Sequence, residues 1–194
     1  MAIGNRAFLR SVVQFRLLGG IEAEVNGRYA DLGGPREQRL LTALLSVVGQ
    51  PLSHEELIDW IWDAPPKEPG HALAEIADTL RTGRLRPIGL GDALIGGDGV
   101  YRLDIPAEWV DVHQFRILTE RAAQLDDVEG REFLAAALQS VRGIPLADLD
   151  GRRIAEYRHE LAEELHAAQT RFTRIQIGQS RSATTRHPEI AQAL

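Results

Sequence analysis

Three arginines that lie within six residues of one another carry the most suggestive chemistry in this sequence. The stretch from Thr79 to Gly91 contains Arg81, Arg84 and Arg86 and no acidic residue. A guanidinium group is always charged at neutral pH, and its fork of donors matches phosphate oxygens and guanine edges. The stretch therefore indicates contact with nucleic acid. For Arg84 and Arg86, a side chain that is merely solvated is an equally good interpretation.

The remaining reactive side chains do not form a catalytic or metal-binding set. The six histidines include no pair with the i, i+4 spacing of zinc ligands, and cysteine is absent. His159 with Glu163, and Glu160 with Glu164, share helical faces, which favours a solvated charged surface over an acid–base pair. Three glycine pairs match no nucleotide-binding loop and are interpreted as turns: Gly19-Gly20, Gly33-Gly34 and Gly96-Gly97. The sequence predicts a non-enzyme without a metal or cofactor.

Two helices are predicted to position the arginines. Ser53 and Glu56 form a capping box that begins the first of them, and Pro65-Pro66 ends it. The second begins near Pro69 and is predicted to end at Gly83, in the left-handed conformation. Its outward positions are His71, Ala74, Glu75, Asp78, Arg81 and Thr82. The three tryptophans are interpreted as core residues rather than base-stacking platforms: Trp60, Trp62 and Trp109.

Small antiparallel sheets are predicted on both sides of these helices. Asn26-Gly27 is typical of a type I′ hairpin turn, in which both central residues have positive φ. The strands of this first sheet are predicted at Val12–Leu18, Ile21–Val25 and Tyr29–Leu32. A helix from about Pro35 to Val48 follows, with Gly49 as its end. A second hairpin joins Ala93–Ile95 to Val100–Leu103 around Gly96-Gly97-Asp98-Gly99.

The second half of the chain is predicted to be entirely helical. Asp111 with Gln114 looks like another capping box. Further helices are predicted at Phe133–Val141, from about Arg152 to Ile177, and from His187 onwards. Because stacked helices bury their apolar faces only against neighbours, we expect this layer to be an N-terminal fragment or a shortened domain. The face begun by Ile190 and Leu194 predicts self-association, or fraying after Gly178.

Composition limits the possible function classes. With 194 residues, the chain is long enough for one large or two small domains. The net charge is −6, and residues 1–105 hold 11 basic and 14 acidic residues, a net of −3. This balance argues against nonspecific coating of nucleic acid but is compatible with a local basic patch. No window has the apolar length of a membrane span or a signal peptide, so we expect a soluble, cytoplasmic protein without a membrane partner.

Several separate sequence blocks, in the expected order, resemble the Streptomyces antibiotic regulatory protein family. The blocks are Phe15–Gly19, Leu32–Arg36, Glu56–Asp59 with Trp62, Tyr101–Asp104 and Asp111–Phe115. The resemblance implies a mostly α-helical protein with small β-sheets. An OmpR-like winged helix-turn-helix over residues 12–105 would precede a tetratricopeptide-like bacterial transcriptional activation domain over residues 106–194. It also implies an activator of antibiotic biosynthesis genes that binds direct-repeat promoter DNA as a homodimer and contacts RNA polymerase.

The candidate DNA contacts combine the basic stretch with this resemblance. They are Arg36, Arg39, His71, Thr79, Arg81, Thr82, Arg84, Arg86 and Arg102. The sequence departs from the family pattern in the DNA-reading helix, where only Arg81 of an arginine pair is present. Glu75 and Asp78 would repel phosphate, although a carboxylate can accept from cytosine N4. The alternative interpretation is a protein that keeps the fold, has lost DNA binding and serves as a protein-interaction or regulatory module.

Overall fold

The structure, a computed structural model, describes residues 13–97 and 99–185, with side chains as far as residue 179. The helix predicted from His187, with Ile190 and Leu194, lies outside the described residues, as does Asp98 of the predicted hairpin turn. The strands are β1 (Val13–Arg16), β2 (Glu22–Val25), β3 (Arg28–Tyr29), β4 (Leu52–Ser53), β5 (Leu94–Gly97) and β6 (Val100–Leu103). The α-helices are α1 (Pro35–Ser46), α2 (His54–Ile61), α3 (Pro69–Thr79), α4 (Asp111–Ala123), α5 (Asp127–Gln139) and α6 (Arg152–Thr185).

The first sheet has the antiparallel order β1-β2-β3. Asn26 and Gly27 have φ of 51° and 79°, which confirms the predicted type of hairpin turn. The prediction of a strand over Tyr29–Leu32 is wrong, because β3 ends at Tyr29. The Asp31 carboxylate accepts from the Gly33 amide at 2.9 Å, so the chain turns away from the sheet towards α1. Leu32 then packs into the core instead of continuing the strand.

Helices α1 and α2 begin where the sequence predicts. Pro35 is the first residue of α1, which ends two residues earlier than predicted, at Ser46. The capping box of α2 is confirmed, since Ser53 Oγ accepts from the Glu56 amide at 3.2 Å and the Glu56 carboxylate accepts from the Ser53 amide at 2.8 Å. The Ser53 hydroxyl also donates to the Glu56 carboxylate at 2.7 Å. This hydrogen bond, and after it the one from the Ser53 amide, lowers the pKa of Glu56. Trp60 and Trp62 are buried, which confirms their interpretation as core residues.

Helix α3 does not end at Gly83 as predicted. The chain continues through a π-helical turn, Leu80–Leu85, and a short 3-10 turn, Arg86–Ile88. The left-handed residue that ends this run is Gly89, with φ of 82°. Leu80 and Leu85 are both fully buried. In an α-helix, residues five apart lie on different faces, so the wider π turn is what brings Leu85 back to the core.

The second sheet forms the wing. Its strand order is β4-β6-β5, so β6 is the central strand. Tyr101 of β6 lies opposite Leu52 of β4 and opposite Gly96 of β5. The Tyr101 ring stacks on the His54 ring at the start of α2, with centroids 5.3 Å apart and planes 20° apart. The Tyr101 ring also lies directly over the Gly96 backbone, where a Cβ would be 2.3 Å from Cε1. The predicted hairpin is present and its second strand, Val100–Leu103, is confirmed. The first strand is Leu94–Gly97 instead of Ala93–Ile95, so the interpretation of Gly96-Gly97 as a turn is wrong, because both glycines pair with β6. The stacking of Tyr101 on His54 packs the wing onto α2.

Helices α4, α5 and α6 form the second half. Asp111 is not the cap that the sequence predicts, because Val110 occupies the cap position and Asp111 is the first residue of α4. Its buried carboxylate accepts instead from the Leu17 amide at 2.8 Å and from the Leu18 amide at 3.0 Å. Burial raises the pKa of Asp111, although these amides oppose that shift. Helix α6 extends to Thr185, beyond the predicted end at Ile177.

The two halves are packed closely together. The Leu17 and Leu18 carbonyls accept from the Leu146 and Arg142 amides at 3.1 and 2.7 Å, so the segment after β1 is bonded to the second half on both sides. On the other flank, Arg152 at the start of α6 forms an ion pair with Asp59 of α2. Trp60 meets the Tyr157 ring edge-on, with centroids 5.4 Å apart. These contacts fix the helical half against the winged helix.

Candidate nucleic-acid interface

One face of α3 is exposed along its whole length. Leu73, Ala77 and Leu80 pack into the core, and the opposite face carries His71, Ala74, Glu75, Asp78, Thr79 and Thr82, all exposed. Five of the six predicted outward positions are exposed, but Arg81 is half-buried because its Nε donates to the Leu94 carbonyl, and Thr79 is exposed without having been predicted. Helices of this width fit the major groove of DNA, and a recognition helix needs an uncovered face of this kind.

The polar groups on this face are only partly available to a ligand. Thr79 Oγ1 donates to the Glu75 carbonyl at 2.9 Å, and Thr82 Oγ1 donates to the Asp78 carbonyl at 2.8 Å. Both hydroxyls therefore turn back to their own helix. His71 Nε2 lies 3.4 Å from Glu75 Oε1, so the first two polar side chains of the face contact each other. The Asp78 carboxylate has no hydrogen-bond or ion-pair partner among the described residues.

Arg81 joins the end of α3 to the wing. Its Nε donates to the Leu94 carbonyl of β5 at 3.2 Å, and the side chain is half-buried. The contact leaves the terminal nitrogens of the guanidinium as the remaining donors. Arg81 therefore lies between the exposed face of α3 and the hairpin, where it can approach a groove edge or a phosphate.

Arg84 and Arg86 differ in their surroundings. Arg84 forms an ion pair with Asp31, and its buried Nε has no hydrogen-bond partner. Gly33 is the residue beneath it, since a Cβ there would lie 2.9 Å from Arg84 Nε. Arg86 is exposed at the start of the 3-10 turn. Of the two, Arg86 is the one whose charge faces solvent without a carboxylate partner in the described part of the chain.

The predicted contacts on other elements also divide into exposed and internal groups. Arg36 is exposed in the first turn of α1, and Arg102 is exposed on β6. Arg39 points into the protein, where its Nη1 donates to the Ile61 carbonyl at 2.8 Å and its Nε is buried. The Arg39 guanidinium also packs against Gly151, where a Cβ would lie 3.3 Å from Cζ. Arg39 thus links α1, α2 and the start of α6 and is not available as a phosphate contact.

Sequence reasoning missed two features of this surface. Arg39 shares a helical stripe with the buried residues Ala43 and Ser46, at i+4 and i+7, and this spacing could have indicated that it points inward. Ile95 is exposed and lies directly opposite Arg102 on the wing. Strand alternation could have found it, because Leu94 and Leu103 are buried and their neighbours must face outward.

One charged group on α6, outside this surface, has a structural partner. Glu164, interpreted from the sequence as part of a solvated face, accepts two hydrogen bonds from Arg116, at 2.8 and 2.9 Å. The described residues contain no group of three or more metal-ligating side chains. Among the described helices, none is long and apolar enough to cross a membrane.

Comparison with known proteins finds relatives among bacterial regulators. No family model matches the chain. Regulatory protein AfsR of Streptomyces griseus is 32% identical over 165 residues, which cover 78% of this chain and 16% of AfsR. This homology supports the resemblance to the Streptomyces antibiotic regulatory protein family.

Transcriptional regulatory protein EmbR of Mycobacterium tuberculosis is a second relative. It is 26% identical over 201 residues, covering 93% of this chain and 48% of EmbR. A solved structure, Mycobacterium tuberculosis EmbR in complex with a low affinity phosphopeptide, has a TM-score of 0.78 and covers 90% of this chain and 48% of that chain, at 24% identity. The chain therefore spans less than half the length of either relative.

The fold expected for a member of the Streptomyces antibiotic regulatory protein family is confirmed. Helices α1–α3 with the wing β4–β6 make the winged helix-turn-helix, and α4–α6 make the helical part. The likeness to EmbR shows this architecture.

Proposed function

We propose that this chain is a sequence-specific DNA-binding transcriptional activator of biosynthetic genes. The observation that carries the proposal is the exposed face of α3, joined to the wing by the hydrogen bond from Arg81 to the Leu94 carbonyl. This contact fixes a helix and a hairpin beside each other with their outer faces uncovered. In the proposed complex, α3 enters the major groove and the hairpin contacts the minor groove or the backbone.

The basic residues around this surface supply the proposed phosphate contacts. Arg36, Arg86 and Arg102 are exposed and lie on three different elements: the start of α1, the turn after α3 and the wing. Such contacts set the position of a protein on the duplex and carry no sequence information. Arg81, His71, Thr79 and Thr82 are the proposed contacts nearest the bases, and Arg84 joins the phosphate contacts when it leaves Asp31.

The two parts of the chain are proposed to have different roles. Residues 12–105 are proposed to bind direct-repeat promoter DNA, one chain on each repeat in a homodimer, and residues 106–194 to contact RNA polymerase. The anchoring of Asp111 to the Leu17 and Leu18 amides supports this division. It joins the start of α4 to the segment after β1, so the two proposed units are held together. The names of the relatives, a regulatory protein and a transcriptional regulatory protein, agree with a role in regulation.

A second candidate function is a protein-interaction or regulatory module that has lost DNA binding. The observation that favours it is the acidic character of the exposed α3 face. Glu75 and Asp78 are both exposed there, and His71 is the one basic residue type on that face among the described residues. Two carboxylates facing a duplex oppose its phosphates, whereas they attract a basic protein surface.

The test is DNA binding by the wild-type chain and Arg81→Ala, measured by fluorescence anisotropy on promoter fragments from neighbouring genes. If Arg81 reads a guanine edge, the variant should lose about 1 to 3 kcal/mol on the cognate fragment and relax discrimination at that base. If Arg81 contacts phosphate, the loss should be uniform across sequences. Absence of any saturable binding by the wild-type chain would favour the interaction module. Arg131→Ala, an exposed arginine on α5, is the matched control.

A further inference from the structure

Asp78 occupies the middle of the exposed α3 face, where a base-reading side chain would lie. It is exposed, and residues one turn before and after it on the same face, Glu75 and Thr82, are exposed as well. Its carboxylate has no hydrogen-bond or ion-pair partner in the part of the chain that the structure describes. The neighbouring carboxylate, that of Glu75, has His71 Nε2 3.4 Å from its Oε1.

Around the centre of the face, the nearest donor protons are already engaged, whereas the Asp78 carboxylate, within the described part of the chain, is an acceptor that is not. The Thr79 and Thr82 hydroxyl protons are directed to backbone carbonyls at 2.9 and 2.8 Å. The Arg81 Nε proton is directed to the wing. The centre of the α3 face therefore presents a hydrogen-bond acceptor, whereas an arginine would present donors.

A carboxylate needs a base edge that offers a hydrogen-bond donor, and that donor should not have an acceptor on each side of it. Only one base meets this condition in the major groove. Guanine and thymine present acceptors in the major groove, O6 with N7 and O4 respectively. Adenine has a donor at N6, but N7 on one side and the paired thymine O4 on the other are acceptors. Cytosine presents its N4 donor at the edge of the pair, with a carbon-bound hydrogen on its outer side.

We propose that Asp78 is a specificity-determining residue that reads cytosine N4 in each half-site. The inference rests on the proposed DNA-binding function and names the base that α3 selects. It also gives the carboxylate a role in binding, since its repulsion of phosphates suppresses nonspecific complexes while its hydrogen bond favours the correct site. Both effects increase the ratio of specific to nonspecific affinity.

The experiment is selection of binding sites from random duplex DNA with the wild-type chain, Asp78→Asn and Asp78→Ala. Wild-type sites should contain an invariant cytosine, and changing it to thymine should weaken binding about 5- to 150-fold, as for one mismatched pair. Asp78→Asn should select adenine at that position, because an amide pairs with adenine N6 and N7. Asp78→Ala should show no preference there. Glu132→Gln, which neutralises an exposed carboxylate on α5, should select the wild-type sequence.

Binding of the two Asp78 variants to unrelated DNA separates reading from simple repulsion. Reading predicts weaker binding to the wild-type site together with stronger binding to unrelated duplexes. A gain on every sequence, the selected site included, would overturn the inference and leave Asp78 as a repulsive group. Selection of the same cytosine by Asp78→Asn would also overturn it while leaving DNA binding intact. Failure of the wild-type chain to select any sequence would overturn the proposed function as well.

Discussion

The Asp111 carboxylate accepts a hydrogen bond from the backbone amide of Leu17 at 2.8 Å, although 94 residues separate them in the sequence. The same carboxylate accepts from the next amide, that of Leu18, at 3.0 Å. Asp111 is buried, so these amides have no water to replace their partner. A single side chain at the start of α4 therefore attaches the helical half to the end of β1.

Asp111→Asn should destabilise the whole chain. The amide side chain keeps one acceptor oxygen but directs an NH₂ group at the Leu17 and Leu18 amides, which leaves a buried donor without a partner. We expect the free energy of unfolding to fall by about 1 to 3 kcal/mol. Asp127→Asn is the matched control, because Asp127 is also the first residue of a helix but is exposed. Urea unfolding measures both, and equal effects of the two substitutions would contradict the role of Asp111.

Stability should fall in mildly acidic solution through His113. Its Nε2 lies 2.8 Å from the Leu45 carbonyl, so the neutral ring donates to α1. Burial lowers the pKa of His113 below its ordinary value of 6.5, although the hydrogen bond to Leu45 opposes the shift. The unfolded chain therefore binds the proton more tightly, and stability present above pH 6.5 is lost as the pH falls through the lowered pKa.

His113→Gln is the test of this pH dependence, since glutamine can donate to the same carbonyl but does not titrate. Thermal unfolding from pH 7.5 to pH 5 should show a smaller loss of stability for the variant than for the wild-type chain. Parallel pH curves for the two proteins would show that His113 does not contribute.

The wing should be sensitive to a methyl group at one glycine and insensitive at the next. A Cβ at Gly96 would lie 2.3 Å from Tyr101 Cε1, whereas a Cβ at Gly97 has no atom within 4 Å. Gly96→Ala must displace the tyrosine ring from His54 and should cost about 1 to 3 kcal/mol. Gly97→Ala should change stability by less than about 0.5 kcal/mol. Chemical denaturation of both variants checks this, and a large loss for Gly97→Ala would contradict the packing.

Local signals in the sequence predicted the elements whose ends depend on a few neighbouring residues. The capping box of Ser53 and Glu56 and the Asn26-Gly27 turn are satisfied within four residues, so the structure confirms both. The end predicted at Gly83 is wrong because burial of Leu85, a tertiary effect, keeps the chain helical.

Contacts between distant residues account for what sequence reasoning missed at the candidate site. Arg39 finds its partner at the Ile61 carbonyl, 22 residues away, and a helical pattern alone does not reveal that acceptor. Arg84 finds Asp31 across 53 residues. Asp111 has a sequence typical of a cap, yet its carboxylate accepts from backbone amides in the segment after β1. In each case the sequence shows a charged side chain, but the group that it contacts is distant in the chain and is known only from the fold.

The salt dependence of DNA binding is the most direct test of the central claim, that α3, the wing and their arginines form a DNA surface. Each phosphate contact contributes about −0.9 to the slope of log affinity against log salt. With Arg36, Arg81, Arg84, Arg86 and Arg102 as the available contacts, the slope should be no steeper than about −4.5 per chain. Fluorescence anisotropy on the selected site should show Arg36→Ala and Arg102→Ala each reducing the slope by about 0.9, with Arg131→Ala unchanged. Affinity that does not vary with salt, or equal effects of Arg131→Ala and Arg102→Ala, would contradict the account.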